Sequence, residues 1–106
     1  MSYRFMRVVV FFDLPTLSPQ DRRAYTRFRK KLIRGGFIMV QESVYSKLVL
    51  NQTAAAMVME HVRKEGPEKG LVQMLVLTEK QYNRMEYIVG EHSSEVIDTD
   101  ERLVIL

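Results

Sequence analysis

The chain opens with a nearly unbroken apolar run, Val8-Val9-Val10-Phe11-Phe12 between Arg7 and Asp13, and Pro15 closes it. A short β-branched and aromatic stretch bounded by proline predicts a strand over Phe5–Leu14 rather than a helix. With apolar side chains on both sides of the pleat, this strand belongs at the centre of a sheet, covered on both faces or forming an interface. Asp13 then lies at its carboxyl end.

The pattern next changes to a helical period. In Ser18-Pro19-Gln20-Asp21, Ser18 is suited to the N-cap, Pro19 to the first helical position, and Asp21 to reach back in a capping box. Ala24, Tyr25, Phe28, Leu32 and Ile33 form one apolar stripe, and Gly35-Gly36 ends the helix with a left-handed residue. Phe37–Gln41 and Ser43–Leu50 read as two strands around a tight or bulged turn at Glu42. Asn51 or Thr53 caps a second helix to about Lys64, with Ala54, Met57, Val58, His61 and Val62 on its stripe and Gly66-Pro67 beyond it. A fourth strand is expected over Leu71–Leu77, a capped helical turn from Thr78 to about Met85, and a short strand at Glu86–Val89. Gly90 to Arg102 is acidic and aperiodic, and Leu103–Leu106 is apolar again.

The order β-α-β-β-α-β is that of the ferredoxin-like split βαβ motif, an α+β fold. It assigns residues 1–90 to a ferredoxin-like domain and 91–106 to an acidic loop and a short C-terminal strand. That strand, Leu103, Val104, Ile105 and Leu106, is expected to dock on a sheet edge or on another protein. Both helices cover one face of the sheet, so the other face needs a cover. A second copy of the chain is the expected one, making a homodimer joined through the sheets.

At 106 residues and 46% hydrophobic content the chain is one domain with a modest core. A walled active site has little room to form, so any chemistry is expected to need a partner chain. The absence of cysteine excludes a disulfide framework, a thiol nucleophile and a zinc–thiolate site. No apolar run approaches the roughly 20 residues that span a bilayer, and no signal-peptide cleavage pattern follows Arg4 and Arg7. A soluble, cytoplasmic protein is expected.

The net charge of +3 conceals a sharp asymmetry. From Pro19 to Arg34 there are seven cations (Arg22, Arg23, Arg27, Arg29, Lys30, Lys31 and Arg34) against the single anion Asp21, whereas Glu79 to Leu106 holds seven anions and three cations. Most exposed helices mix signs and gain from i,i+4 ion pairs; one that forgoes them pays a few tenths of a kcal/mol for each like-charged pair. A polyanion relieves that repulsion. Arg22, Arg23, Arg27, Lys30, Lys31 and Arg34 are therefore candidate phosphate contacts, supplying affinity rather than base reading.

Asp13 is the sharpest single candidate for chemistry. One carboxylate holds Mg²⁺ poorly alone, but a twofold axis past the ends of the first strands brings two together, with water completing the octahedron. Such a pair can orient a water against a phosphodiester. The plainer roles for Asp13 are capping the turn before Pro15 or pairing with an arginine. His61 and His92 lack a ligand spacing, Ser43 has no nucleophile elbow, and the glycines form neither a P-loop nor a dinucleotide fingerprint.

Taken together, the blocks Val-Val-Val-Phe-Phe-Asp13-Leu-Pro, Arg34-Gly35-Gly36-Phe37 and Gln41-Glu42-Ser43-Val44-Tyr45 resemble the small CRISPR-associated protein of the spacer-acquisition complex, the second member of the universal adaptation pair. The resemblance covers essentially the whole chain. The opening Met-Ser-Tyr-Arg-Phe-Met-Arg and the Asn51-Gln-Thr, Leu77-Thr-Glu-Lys-Gln and Asp100-Glu-Arg-Leu stretches are similar to versions from single-effector systems of Gram-positive cocci. The resemblance implies a homodimer that bridges integrase dimers and carries duplex protospacer DNA on its basic surface. It also implies a Mg²⁺-dependent ribonuclease or deoxyribonuclease activity, separable from integration, with Asp13 of both protomers as catalytic residue and metal ligand. Many relatives have a basic residue two positions before the glutamine, where this chain has Met39.

Two other readings fit less of the chain. An RNA-binding module of the common RNA-recognition type needs a Gly- and aromatic-rich block on its third strand, which Ser43–Leu50 lacks. A small-molecule-sensing ferredoxin-like dimer leaves the basic helix unexplained.

Overall fold

The computed structural model describes residues 4–91. In chain order the elements are β1 (Met6–Asp13), α1 (Pro19–Arg34), β2 (Ile38–Gln41), β3 (Val44–Val49), α2 (Gln52–Lys64), β4 (Leu71–Thr78) and the single-turn α3 (Glu79–Tyr82). The strands form one antiparallel sheet in the order β2-β3-β1-β4. This is the expected α+β, ferredoxin-like arrangement, with β1 at the interior of the sheet. The expected docking strand, Leu103, Val104, Ile105 and Leu106, and all but the first residue of the acidic loop lie outside the described residues.

Alternation along β1 sends Met6, Val8, Val10 and Phe12 to one face, where they meet Phe28 and Leu32 of α1, Tyr45 and Val49 of β3, and Ala55 and Val62 of α2. Phe12 is the hub. Its ring stands edge-on to Tyr25 and Phe28, at centroid distances of 6.0 and 5.4 Å, and stacks on Tyr45 at 5.7 Å. Such pairs add to the burial of the rings themselves.

The two long helices start as the sequence predicts. Ser18 Oγ accepts from Asp21 N (3.0 Å) while Asp21 Oδ2 accepts from Ser18 N (3.4 Å), and Pro19 opens α1. Asn51, rather than Thr53, caps α2, its Oδ1 accepting from Ala54 N (2.8 Å). At the far end of α1, Gly35 has ordinary helical φ and Gly36 is the left-handed residue, with φ +94°. Lys47 Nζ reaches across from β3 to the Gly35 carbonyl (2.5 Å), a cation at the negative end of the helix.

Several expectations need correcting. Ile33 is half exposed, because α1 buries Phe28 and Leu32 and a residue one step on is turned about 100° away. On α2 the inner seam is Ala55 and Val62, with Ala54, Val58 and Met59 packed beside it, while Met57 and His61 fall on the far edge of the stripe and face out. The helical turn after Thr78 closes at Tyr82, short of Met85, and Glu86–Val89 is not a strand. A strand needs a ladder partner. None is found for this segment among the described residues, and Ile88 and Val89 are exposed.

Asp21 gives α1 a pH signature. Partial burial works against its charge, but the hydrogen bonds from the Ser18 backbone and hydroxyl, with the Lys69 ammonium 3.5 Å away, outweigh it and hold the carboxyl below the usual aspartate range. A depressed folded pKa stabilises the fold above the unfolded value, near 3.9, and that contribution is lost as pH falls through the folded value. Urea midpoints measured at pH 5 and pH 2.5 should therefore fall further for the native protein than for Asp21→Asn. Removing the other half of the box, Ser18→Ala, should cost about 1 kcal/mol at neutral pH.

Candidate nucleic-acid interface and strand-end carboxylate

Helix α1 presents two kinds of cation. Arg23, Arg27, Lys30 and Arg34, at i, i+4, i+7 and i+11, fall on one line opposite the buried Phe28 and Leu32, and all four are exposed. At 1.5 Å per residue the line is about 16 Å long. Among the described residues none of the four meets a carboxylate. The single anion of the helix, Asp21, is turned inward to the cap and to Lys69.

The remaining cations are held by the fold. Arg29 Nε donates to the hydroxyl of the fully buried Tyr45 (2.8 Å), tying the middle of α1 to β3. Arg22 Nη1 donates to the carbonyls of Thr16 and Leu17, 3.1 Å each. Lys31 is half-buried and borders a groove of about 310 Å³ between α1 and α2. Of the six expected phosphate contacts, four thus form an unobstructed exposed row.

The other face of the sheet carries Arg7, Val9, Phe11 and Asp13 of β1, Ile38 of β2, Val44, Ser46 and Leu48 of β3, and Leu71, Gln73, Leu75 and Leu77 of β4. At one end it is closed by polar contacts. Arg7 pairs with Glu79 through two nitrogens, Nε at 2.8 Å, and its guanidinium lies 4.3 Å from the centre of the Tyr82 ring. The Tyr82 hydroxyl and Arg7 Nη1 both reach the buried Ser46 Oγ, at 3.3 and 3.4 Å. Toward the other end the face is apolar and open. Phe11 is 36% exposed, Leu71 54% and Leu75 52%, enough to mark an uncovered patch rather than isolated side chains, while Leu48, also exposed, lies beside Arg7 at the polar end.

Asp13 is exposed at this open end, opposite Leu71 in the β1–β4 register. Its carboxylate has no hydrogen-bond or ion-pair partner among the described residues, so neither plainer role, the turn cap or the arginine partner, is seen. The described residues contain no group of three His, Cys, Asp or Glu side chains close enough to hold a metal. Two clefts flank α1, about 370 and 310 Å³ in volume, and Asp13 lines neither. In one chain, then, the carboxylate sits on the open sheet face and the basic row on the solvent side of the helix layer. The fold does not bring them into one cleft. No helix among the described residues is long and apolar enough to cross a membrane.

Sequence reading passed over Gly70, which shapes the Asp13 end. Its φ is +94°, and a Cβ there would lie 2.8 Å from the Asp13 carbonyl oxygen and 3.1 Å from the Leu14 Cα. The only signal was a glycine at the mouth of a strand, in Pro67-Glu68-Lys69-Gly70-Leu71.

Comparison with known proteins gives a coherent result. The family model described as CRISPR associated protein Cas2 matches residues 6–85, nearly all the described fold. The chain is 55% identical to a "CRISPR-associated endoribonuclease Cas2" of Treponema denticola over 95% of this chain and 100% of that one. Proteins of the same name from Streptococcus mutans and Ligilactobacillus salivarius are 45% and 44% identical over 95% of this chain, covering 93% and 100% of their own lengths.

Gly70→Ala should destabilise the protein by about 1–3 kcal/mol in urea unfolding, through positive φ and a backbone clash together. Gly90→Ala, also at φ +94° but with nothing within 4 Å of an added Cβ, should cost less.

Proposed function

Because the chain belongs to the CRISPR-associated Cas2 family, we propose that it acts in CRISPR spacer acquisition as a homodimer that binds duplex DNA and carries a metal-dependent endonuclease activity. The observation that carries the reading is the unpaired row Arg23, Arg27, Lys30 and Arg34, a surface suited to a phosphate backbone. Lys31 and Arg22 flank it. A row made of cations alone can neutralise phosphates whatever the bases between them, which suits a scaffold that accepts any sequence. Its place in the cell would be the cytoplasm.

The homodimer is supported by the open apolar patch around Leu71 and Leu75, which a second copy would cover through the same surface. Docking to an integrase subunit is assigned to Leu103–Leu106, beyond the acidic stretch, by strand addition. For catalysis, the Asp13 carboxylate is a hard oxygen donor of the kind Mg²⁺ takes, and the incomplete donor set of one chain matches a site shared by two. When bound, the ion supplies Lewis-acid polarisation of a phosphoryl oxygen and an acidified water. The chain's own part is to aim Asp13 at the scissile phosphate; the basic row of α1, on the opposite side of the sheet, serves duplex binding. That the curated relatives are named endoribonucleases favours RNA as a substrate for cleavage. The other reading, an RNA-binding module without catalysis, is separated from this one by the Asp13 variant below.

On a fluorescent duplex, log affinity should fall with log salt by about 3–4 per chain engaged, since each neutralised phosphate contributes about 0.9. A salt-independent affinity would sink the scaffold reading. Asp13→Ala should abolish Mg²⁺-dependent cleavage of RNA or DNA and leave duplex affinity unchanged; retained cleavage would remove Asp13 from the mechanism.

A further inference from the structure

Gln73 stands on the open sheet face among apolar neighbours: Leu71 and Leu75 lie two positions before and after it along β4, and Phe11 is opposite it on β1. All four residues are exposed. The Gln73 amide makes no side-chain hydrogen bond among the described residues, and neither does the Asp13 carboxylate. The β1–β4 register sets Asp13 against Leu71 and Phe11 against Gln73, so Asp13 and Gln73 are diagonal neighbours on one face. Residues so placed are about 7–8 Å apart at the backbone, within reach of a long side chain such as glutamine. We propose that Gln73 is a positioning residue for Asp13: when a second copy covers this face, the Gln73 amide donates a hydrogen bond to the Asp13 carboxylate of its own chain. The proposal rests on the homodimer and metal readings given above.

The ladder holds the Asp13 backbone but leaves its carboxylate without a partner. In a single chain water satisfies both polar groups, and nothing draws them together. Covering the patch of Phe11, Leu71 and Leu75 removes that water, and an amide or carboxylate buried without a partner is unfavourable. Ser46, on the same face, is already engaged by Arg7 and Tyr82, which leaves Asp13 as the acceptor nearest to Gln73 in the β1–β4 register. The bond fixes one carboxylate oxygen and keeps the other for a cation, while the second amide N–H and the amide oxygen of Gln73 remain for the partner copy.

The test uses the full-length native protein, Gln73→Met and Asp13→Ala. Methionine is about as long as glutamine and cannot donate. Sedimentation reads the oligomeric state, solvent exchange of the Gln73 side-chain amide protons reads the bond, and the midpoint of Mn²⁺-induced broadening at the Asp13 backbone amide reads the site. All three proteins should sediment as dimers. The Gln73 amide protons should exchange several-fold more slowly in the native protein than in Asp13→Ala. Gln73→Met should raise the Mn²⁺ midpoint several-fold and keep the native salt slope for a labelled duplex, since α1 is untouched. A native dimer whose Gln73 protons exchange as fast as those of Asp13→Ala overturns the pairing. So does a Gln73→Met dimer with the native Mn²⁺ midpoint. A native protein that sediments as a single chain overturns the homodimer reading and this proposal with it. If the native dimer shows no Mn²⁺ broadening at Asp13, the metal reading fails, and the amide exchange alone decides the role of Gln73.

Discussion

Everything at the functional end of the molecule follows from the burial of Phe12. Its ring is held by Tyr25, Phe28 and Tyr45, and a strand alternates strictly. With Phe12 inward, Asp13 must face the open side of the sheet, and Leu14 returns to the core. A slip of one residue would bury the carboxylate and expose the ring, at a cost of several kcal/mol for the lost aromatic packing alone. The aim of Asp13 is thus a consequence of hydrophobic packing on the opposite face. Gly70 adds a second constraint, since only a residue without a Cβ lets β4 begin so close to the Asp13 backbone.

The same economy governs α1. A row of four unpaired cations weakens a helix slightly, and the compensation comes from its inner side and its ends. The Ser18–Asp21 box closes the first turn, Arg29 is tied to Tyr45, and Lys47 bonds the Gly35 carbonyl at the last. Stability and charge display are therefore assigned to different residues of one helix. This separation is what a backbone-binding surface requires, because a cation already neutralised by a neighbouring carboxylate has little to offer a phosphate.

The open sheet face is divided. One end is closed by Arg7, Glu79, Tyr82 and Ser46, a polar cluster that turns the chain sharply after β4. The other end keeps an apolar surface beside Asp13. On the proposed reading a second copy would cover that surface and supply the second carboxylate, so that covering the face and completing the site would be one event. A domain of this size has too little core to wall off a site alone, and Asp13 accordingly lies outside both clefts beside α1.

Much of this was legible in the order of residues. Val8 to Phe12 read as an interior strand, Ser18-Pro19-Gln20-Asp21 as a helix start, and the ferredoxin-like order followed, because periodicity, caps and proline are local properties of the chain. The sign purity of α1 and the position of Asp13 at a strand end were likewise visible. The inner seam of α2 at Ala55 and Val62, the loss of the strand at Glu86–Val89, the division of the α1 cations into held and free, the positive φ demanded of Gly70 and the Arg7–Glu79 pair 72 residues apart were not. Each depends on which surfaces meet across the sheet. Local pattern determines which elements form and what they carry, whereas long-range packing decides which charges are free to act.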